Sequence, residues 1–525
     1  MQFFTARLLF LFLAVYRRGW RMAAALSPAL IVCVAAASEA PPLTPLQRAQ
    51  YQRISHAAEI SADLDALVAA SPLARKEIVG RSLQQRPIEA LLLSTVSDGA
   101  RARHPRLMLV GSQHGAAEPA GGEAMLVLAR QLLGGDLREV LNDFDVVLLP
   151  DANPDGRDSG HRSNAAAVNL NTDFVRLSQP ESQALLSALA RYQPVAVLDV
   201  HESAILKRKT LAREGYLTDF EAQFEAANNP ALPSALRDYG QHSLLPLLIA
   251  QARQRGLPAQ RYIGEITSIH QPISNGGLSL RNFRNRAAMS GALSFLVETK
   301  LDSRDDPWPT FRNIEARVAR SLSCQRIFLE VIQRERLTVL RTVKAARVAA
   351  QKEPVMLYAN YAEDLTHPRI ELVLRRLADR ELTTLAFADH RHVATADEIP
   401  MPATYVVSQP DDALRAALER HGIHYERQSQ SFELPVVAER FAPANDTTER
   451  TKLLSSTDKF ITTAPGALLI DLVQRQGRLV PLLLDPRSPS SLFRLPEFAA
   501  ALRADQDFGV YRIHKGVMRG APRLE

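Results

Sequence analysis

An α/β fold, with a mostly parallel or mixed sheet flanked by helices and a smaller C-terminal α/β or mixed domain, is what this 525-residue sequence predicts. Three observations carry the prediction. Short apolar runs of strand length alternate with amphipathic stretches of helical period, with turn-forming residues between them. Ionisable residues cluster just after several of the apolar runs, where open α/β sheets hold their ligands. A 525-residue chain that is 46% hydrophobic can bury more than one core, which suggests two or three domains.

From about 41 to 105 the pattern is helical (RAQYQRISHAAEISADLDALVAA) and then strand-like over 88–96, as for a leader helix packed on a first hairpin. The repeated unit follows: a strand over 106–111 and a helix over 119–134, a strand over 144–150, a helix over 179–191, and a strand over 195–200. A helix over 242–255 and a strand over 292–298 complete it. Alternation of this kind implies a largely parallel sheet. An Arg- and Ala-rich helical stretch from about 314 to 351 ends at Pro354, so a first domain is expected over 41–350. A second pattern, with ATYVVSQ (403–408), DDALRAALERHG (411–422) and ALLIDLVQ (467–474), implies an accessory domain over 355–525.

Residues 1–40 are expected to be a signal peptide or targeting segment. An apolar run from Leu8 to Val15, Arg17, Arg18 and Arg21, a second run from Met22 to Ala37 and a small-residue end at AAASEA place cleavage near Ala40. An early start codon or an uncleaved anchor are the alternatives. Neither run reaches the ~20 apolar residues of a spanning helix, so no stable membrane span is expected in the mature protein, which would be periplasmic or secreted. Cys33 falls in the signal, leaving Cys324 as one thiol with no internal disulfide and no thiolate metal cluster. The 63 Lys+Arg and 57 Asp+Glu nearly balance, with a net charge of +6, and they are spread along the chain. That argues against nucleic acid as a partner.

Three segments carry the chemistry. LMLVGSQHGAAE offers His114 and Glu118, AVLDVHES offers His201, and LSFLVETK offers Glu298. Hydrolytic zinc sites take three ligands from His and carboxylate and leave a fourth position for water, whose proton goes to a separate carboxylate. His114, Glu118 and His201 can supply the ligands of one Zn²⁺ per chain, and Glu298 the base. Pro119 suits a first helical turn after Glu118. Asp199 lies two residues before His201, on the same side of a strand, and can accept the imidazole's other N–H. Glu202 is a competing partner. Taken singly, His114 is also readable as a loop histidine and Glu118 as an acid at a helix start.

The segment PDANPDGRDSGHRSNAAAVNLNTDF (150–174) is the most specific stretch. With it, the order of motifs resembles the zinc carboxypeptidase family, or funnelins, as a bacterial-type secreted member. The matching positions are His114 and Glu118, Asn153-Pro154-Asp155-Gly156, Arg162, Asn171 in NLNTDF, His201 and Glu298, over roughly residues 80 to 300. The resemblance implies a catalytic domain over 41–350 with a zinc carboxypeptidase-like fold. It implies peptide-bond hydrolysis, with Glu298 as general base, Arg162 stabilising the oxyanion and Asn171 holding the substrate's polar end.

Two departures bear on that implication. His114 and Glu118 are separated by three residues where the family usually has two, so either the turn bulges and keeps both ligands or ligation shifts to another acid such as Glu123; Glu118 is the preferred ligand. Where the family places an Arg after the Asn, this chain has Thr172, which cannot form a bidentate pair with a carboxylate. Arg281, Arg284 or Arg286 can substitute from another side, with Arg281 the first choice; the alternative is a basic loop facing water. No tyrosine lies in that loop to serve as the family's lid. The leading expectation is a zinc carboxypeptidase acting on peptides. An amidohydrolase or deacylase on the same scaffold and a catalytically inactive binding protein are the alternatives.

Overall fold

The computed structural model describes residues 42–96, 104–204, 210–301, 313–442 and 450–514. The expected targeting segment lies outside these residues. The described residues from Leu43 onward form one compact unit.

An eight-stranded mixed sheet organises the first part of the chain. Its strands are β1 (Ala74–Arg81), β2 (Pro87–Leu93), β3 (Arg106–Val110), β4 (Asp145–Leu149), β5 (Ala196–Ala204), β7 (Ala222–Ala226), β8 (Ala259–Arg261) and β9 (Leu293–Leu301), with a short strand β6 (Tyr216–Thr218) outside it. The order is β1-β2-β4-β3-β5-β9-β7-β8. The centre, β4-β3-β5-β9, is parallel. The β1–β2 hairpin joins β4 antiparallel on one side and β7 joins β9 antiparallel on the other. Burial on both faces explains why these strands read as unbroken apolar runs. Leu107, Leu109, Val146, Leu148, Ala196 and Leu198 enter one core, and Met108, Val110, Val147, Leu149 and Val197 the core on the opposite face.

Most expected elements lie within a few residues of their sequence positions, among them the helices Ala120–Gly134 and Pro180–Tyr192. The stretch 314–351 is two helices, Ile314–Arg334 and Arg336–Ala349, broken at Glu335. Strands β5 and β9 run on three residues past His201 and Glu298, because each pairs with the other through Ala204 and Leu301. The two residues are thus not at strand ends but side by side inside a parallel ladder.

From residue 355 the chain is strand-rich. A hairpin of β11 (Arg369–Arg376) and β12 (Leu382–Ala388) takes up β6, and β10 (Val355–Ala362) pairs with β13 (His392–Ile399). Six more strands, β14 (Thr404–Val407), β15 (Glu426–Arg427), β16 (Glu433–Phe441), β17 (Leu453–Thr462), β18 (Leu468–Asp471) and β19 (Val510–Ile513), form an antiparallel sheet in the order β15-β18-β14-β19-β16-β17. Helix Asp412–Arg420 packs in this part, and the Asp411 carboxylate accepts from Leu414 N at 2.7 Å as its N-cap. The apolar core is continuous between the two parts: Leu418, Leu468 and Leu483 belong to the same cluster as Leu198 and Phe295.

Candidate metal centre and substrate cleft

His114 leaves the end of β3 in a loop that must turn tightly before helix Ala120–Gly134. The residue in excess of the family spacing is absorbed by a 3₁₀ turn over Gly115–Ala117, closed by Ala117 N donating to His114 O at 3.0 Å. Gly115 has φ +49°, and a Cβ on it would stand 2.6 Å from the Gly156 carbonyl carbon. Only glycine therefore fits this turn against helix Pro154–Ser159. That helix is fixed by the NPDG motif itself, with Asn153 Oδ1 accepting from Gly156 N at 3.0 Å and Asn153 Nδ2 donating to Gln113 O at 3.1 Å.

With the turn so placed, the ligand atoms of His114, Glu118 and His201 all lie within 4.8 Å of one another, and all three residues are buried. His201 Nε2 is 2.9 Å from Asp199 Oδ1, and His201 Nδ1 is 3.0 Å from Glu118 Oε2. Donation of Nε2–H to Asp199 leaves the Nδ1 lone pair facing a carboxylate oxygen, an arrangement that calls for a proton or a cation between them. His114 Nδ1 is buried without a hydrogen-bond partner. Two imidazoles and one carboxylate are a donor set that Zn²⁺ accepts, with room for a fourth ligand. The residues present thus fit the ion.

The protonation pattern agrees. Burial pushes His114 down to about 3, so it stays neutral. Burial also works against a charged His201, but Asp199 and Glu118 on its two sides hold its pKa well above the ordinary value. Burial disfavours ionised Glu118, yet His114, Arg162 and His201 outweigh it and hold the carboxyl well below its usual range. The cluster favours a positive charge at this point, whether proton or metal.

Glu298 stands beside His201 in the β5–β9 register. Burial raises its pKa to about 7, with the charge of His201 opposing and that of Glu118 adding. Arg162 Nη1 donates to Glu118 Oε1 while about one third of its side chain remains exposed to the cleft. Asn171 Oδ1 accepts from Phe283 N at 2.8 Å, which sets its Nδ2 at 3.4 Å from His201 Nε2. Six of the seven expected site residues therefore come together. Arg281 does not: it is exposed and absent from the cleft lining, and its backbone carbonyl accepts from Phe174 N at 3.3 Å. Thr172 Oγ1 donates to Asn169 O at 2.8 Å. The two carboxylates that competed with these assignments are engaged elsewhere. Glu123 accepts from Ser55 N, Ser55 Oγ and Arg157 Nη1. Glu202 accepts two bonds from buried Arg317, at 2.7 and 3.0 Å, and one from Ala120 N at 3.0 Å.

Beyond Glu118, Arg162 and Glu298 the cleft is lined by Thr210, Leu211, Thr218, Phe220, Gln223, Tyr262 and Ile266, among others. Tyr262 and Gln223 have no counterpart in the sequence reading. Gln223 is the β7 residue opposite Glu298, and Tyr262 follows the edge strand β8, anchored by donation of its N–H to Phe224 O at 2.9 Å. Burial and Glu298 raise the Tyr262 phenol, so it stays protonated and able to donate. The short run AQRY at an edge strand gives no periodicity by which to find it.

Comparison with known proteins adds an independent finding. The zinc carboxypeptidase family model matches residues 60–206. Over that span the chain is similar to zinc carboxypeptidases. Carboxypeptidase 2 of Trichophyton rubrum is 24% identical over 422 residues, which is 76% of this chain and 75% of that protein. The probable carboxypeptidase 2 of Trichophyton verrucosum is 27% identical over 203 residues, so this chain spans 39% of that relative. A metallo-carboxypeptidase from Pseudomonas aeruginosa superimposes over 53% of this chain and 68% of that one, with 20% identity and a TM-score of 0.39. Among the described residues no helix is long and apolar enough to cross a membrane.

Proposed function

We propose that the protein is a zinc carboxypeptidase that hydrolyses peptide bonds at a centre held by His114, Glu118 and His201, with Glu298 as general base. The observation that carries this reading is the convergence of the three ligand side chains within 4.8 Å beside Glu298, in the domain that matches the family. Zn²⁺ held there supplies a Lewis acid and an activated water near neutral pH. The remaining work falls to the chain's own residues.

Glu298 takes the proton from the attacking water on one carboxylate oxygen and returns it to the leaving amine. Its pKa near 7 suits both transfers. The Arg162 guanidinium is the cation lining the cleft at this point, placed to meet negative charge as it develops on the carbonyl oxygen. Asn171 is held rigid by Phe283 N and presents its amide N–H to the substrate's terminal group. Tyr262 walls the cleft beside Glu298 and limits access of bulk water.

One observation favours a second reading, an amidohydrolase on the same scaffold. The Thr172 hydroxyl, at the position where the family has an Arg, is turned back onto Asn169 O and offers the substrate nothing. Secretion is the compartment we infer from the basic and apolar residues before Ala40. A peptide library read by mass spectrometry tests the function: stepwise loss of C-terminal residues supports the carboxypeptidase, and release only from C-terminally blocked amides supports the second reading. Failure of pure protein to retain stoichiometric zinc would defeat both.

A further inference from the structure

A second cavity of about 310 Å³ lies where helix Arg336–Ala349 and the 472–478 turn meet the end of helix Phe283–Met289. Its lining includes Ser290, Gly291, Arg347, Gln474, Arg475 and Arg478, and no Asp or Glu among the described residues. Behind Ser290 lies Arg286, which is 1% exposed. Its Nη1 donates to Ser290 Oγ at 3.3 Å, its Nε has no partner, and no carboxylate pairs with it among the described residues. A buried cation with no counter-charge is costly, and natural proteins rarely retain one unless something compensates it.

The three cavity arginines are not equivalent. Arg478 has an ordinary structural role: its guanidinium donates to Ala231 O, Ala350 O, Glu353 O and Pro354 O, closing the end of helix Arg336–Ala349. Glu353, the carboxylate that acts on it, is already engaged by Ser234 N and Oγ. Arg347 and Arg475 carry no such bonds among the described residues. Arg347 lies against Gly291, where a Cβ would stand 3.9 Å from its Nε. The three remaining charges oppose one another, Arg475 lowering Arg286 after burial and Arg347 lowering Arg475 after burial. Helices and turns from both halves of the fold thus deliver positive charge to one roomy hollow.

We propose that this cavity binds a phosphate-type oxyanion, gripped by Arg347, Arg475 and Ser290 and compensating the buried charge of Arg286. Guanidinium forks match phosphate oxygens bidentately, and the hydroxyl of Ser290 adds a donor or acceptor. The volume is about ten times a water's share of ~30 Å³, so a phosphate carried on a small organic group fits as well as the free ion. The site shares no lining residue with the peptide cleft, so it stands whether or not the peptidase reading holds.

The test uses the intact, metal-loaded protein and thermal unfolding with inorganic phosphate, against sodium chloride at matched ionic strength. A saturable rise in Tm with phosphate, weakened about tenfold or more in apparent affinity by Arg475→Gln and by Arg347→Gln, is the expected result. Both side chains are at the surface, so both variants should fold. A response to phosphate no larger than to chloride, or one that survives in both variants, overturns the proposal. Glycerol phosphate in parallel separates the two sources: a tighter response than to phosphate assigns the rest of the cavity to an organic moiety, and a weaker one assigns the site to the free ion.

Discussion

The two ends of the peptide cleft are held by different means. At the metal end, His201 and Glu298 sit in adjacent parallel strands, Asp199 and Gln113 fix the imidazole, and the Glu202–Arg317 pair ties β5 to helix Ile314–Arg334. At the outer end, Thr218 belongs to the three-residue strand β6, which among the described residues pairs only with β11, from far later in the chain. Ile266 is in a segment clamped to the end of the same hairpin, where Ile273 N donates to Ala388 O and His390 N to Ile273 O, both at 2.9 Å. Leu211 and Ile266 of the cleft share an apolar cluster with Leu372, Leu374 and Phe387. A strand of three residues has no stability alone. The metal-site residues are therefore built into the sheet, while the outer wall of the cleft is strapped on by β11–β12.

The largest expected break in that contrast is at Glu298. Glu298→Gln should lower kcat by about 10²–10⁴-fold while zinc remains bound, as measured by turnover and metal analysis on the same sample. Unchanged hydrolysis would remove Glu298 from the role of base. The pH profile sharpens the point. Deprotonated Glu298 is the active form, so kcat/KM should fall as pH drops through its pKa. That pKa is about 7 with the charges of His201 and Arg162 already opposing burial, and a divalent metal ion favours the carboxylate further, so the acid limb should lie below pH 7. Next in size is Arg162→Ala, which should cost about 2.7–4 kcal/mol in kcat. An effect confined to KM would make Arg162 a binding group only.

The outer wall should respond in the opposite sense. Leu374 is fully buried and paired with Thr218, and Leu374→Ala should destabilise the fold by about 2–5 kcal/mol. In molecules that remain folded, KM should rise several-fold for peptides whose side chain meets Leu211, Phe220 and Ile266, with kcat for the smallest substrates and the zinc content preserved. Leu374→Met should restore both, because it nearly conserves volume. Equal losses in kcat and KM for every peptide would show that the wall and the metal end are one mechanical unit.

This division also sets what the sequence revealed. The metal end was legible because its residues lie in or just after strands that are apolar through burial on both faces, and because His114, Arg162, Asn171, His201 and Glu298 sit at motif positions. Glu118 was legible in identity but not in geometry, since nothing local announces that a 3₁₀ turn at Gly115 absorbs the added residue. The wall was not legible. Strand β6 exists through pairing with β11, and Tyr262 reaches the cleft through one bond to Phe224 O, both contacts between segments distant in sequence. The resemblance drew attention to the Leu278–Gly291 loop for both a tyrosine and a carboxylate-binding Arg. Tyr262, which lines the cleft, lies outside that loop, and Arg281 is exposed.

The smallest expected effect tests the boundary between the two ends. Thr172 is exposed and its hydroxyl is spent on Asn169 O, so Thr172→Ala removes a local bond worth about 0.5–1.5 kcal/mol of stability and no contact to substrate. Cleavage of free-carboxylate peptides and of their C-terminal amides should change by the same small factor, at most about threefold, in kcat/KM. A selective loss on the free carboxylates would mean that Thr172 turns from Asn169 to the substrate during catalysis. Recognition of the terminus would then begin at the metal end, alongside Asn171, rather than at the wall strapped by the hairpin.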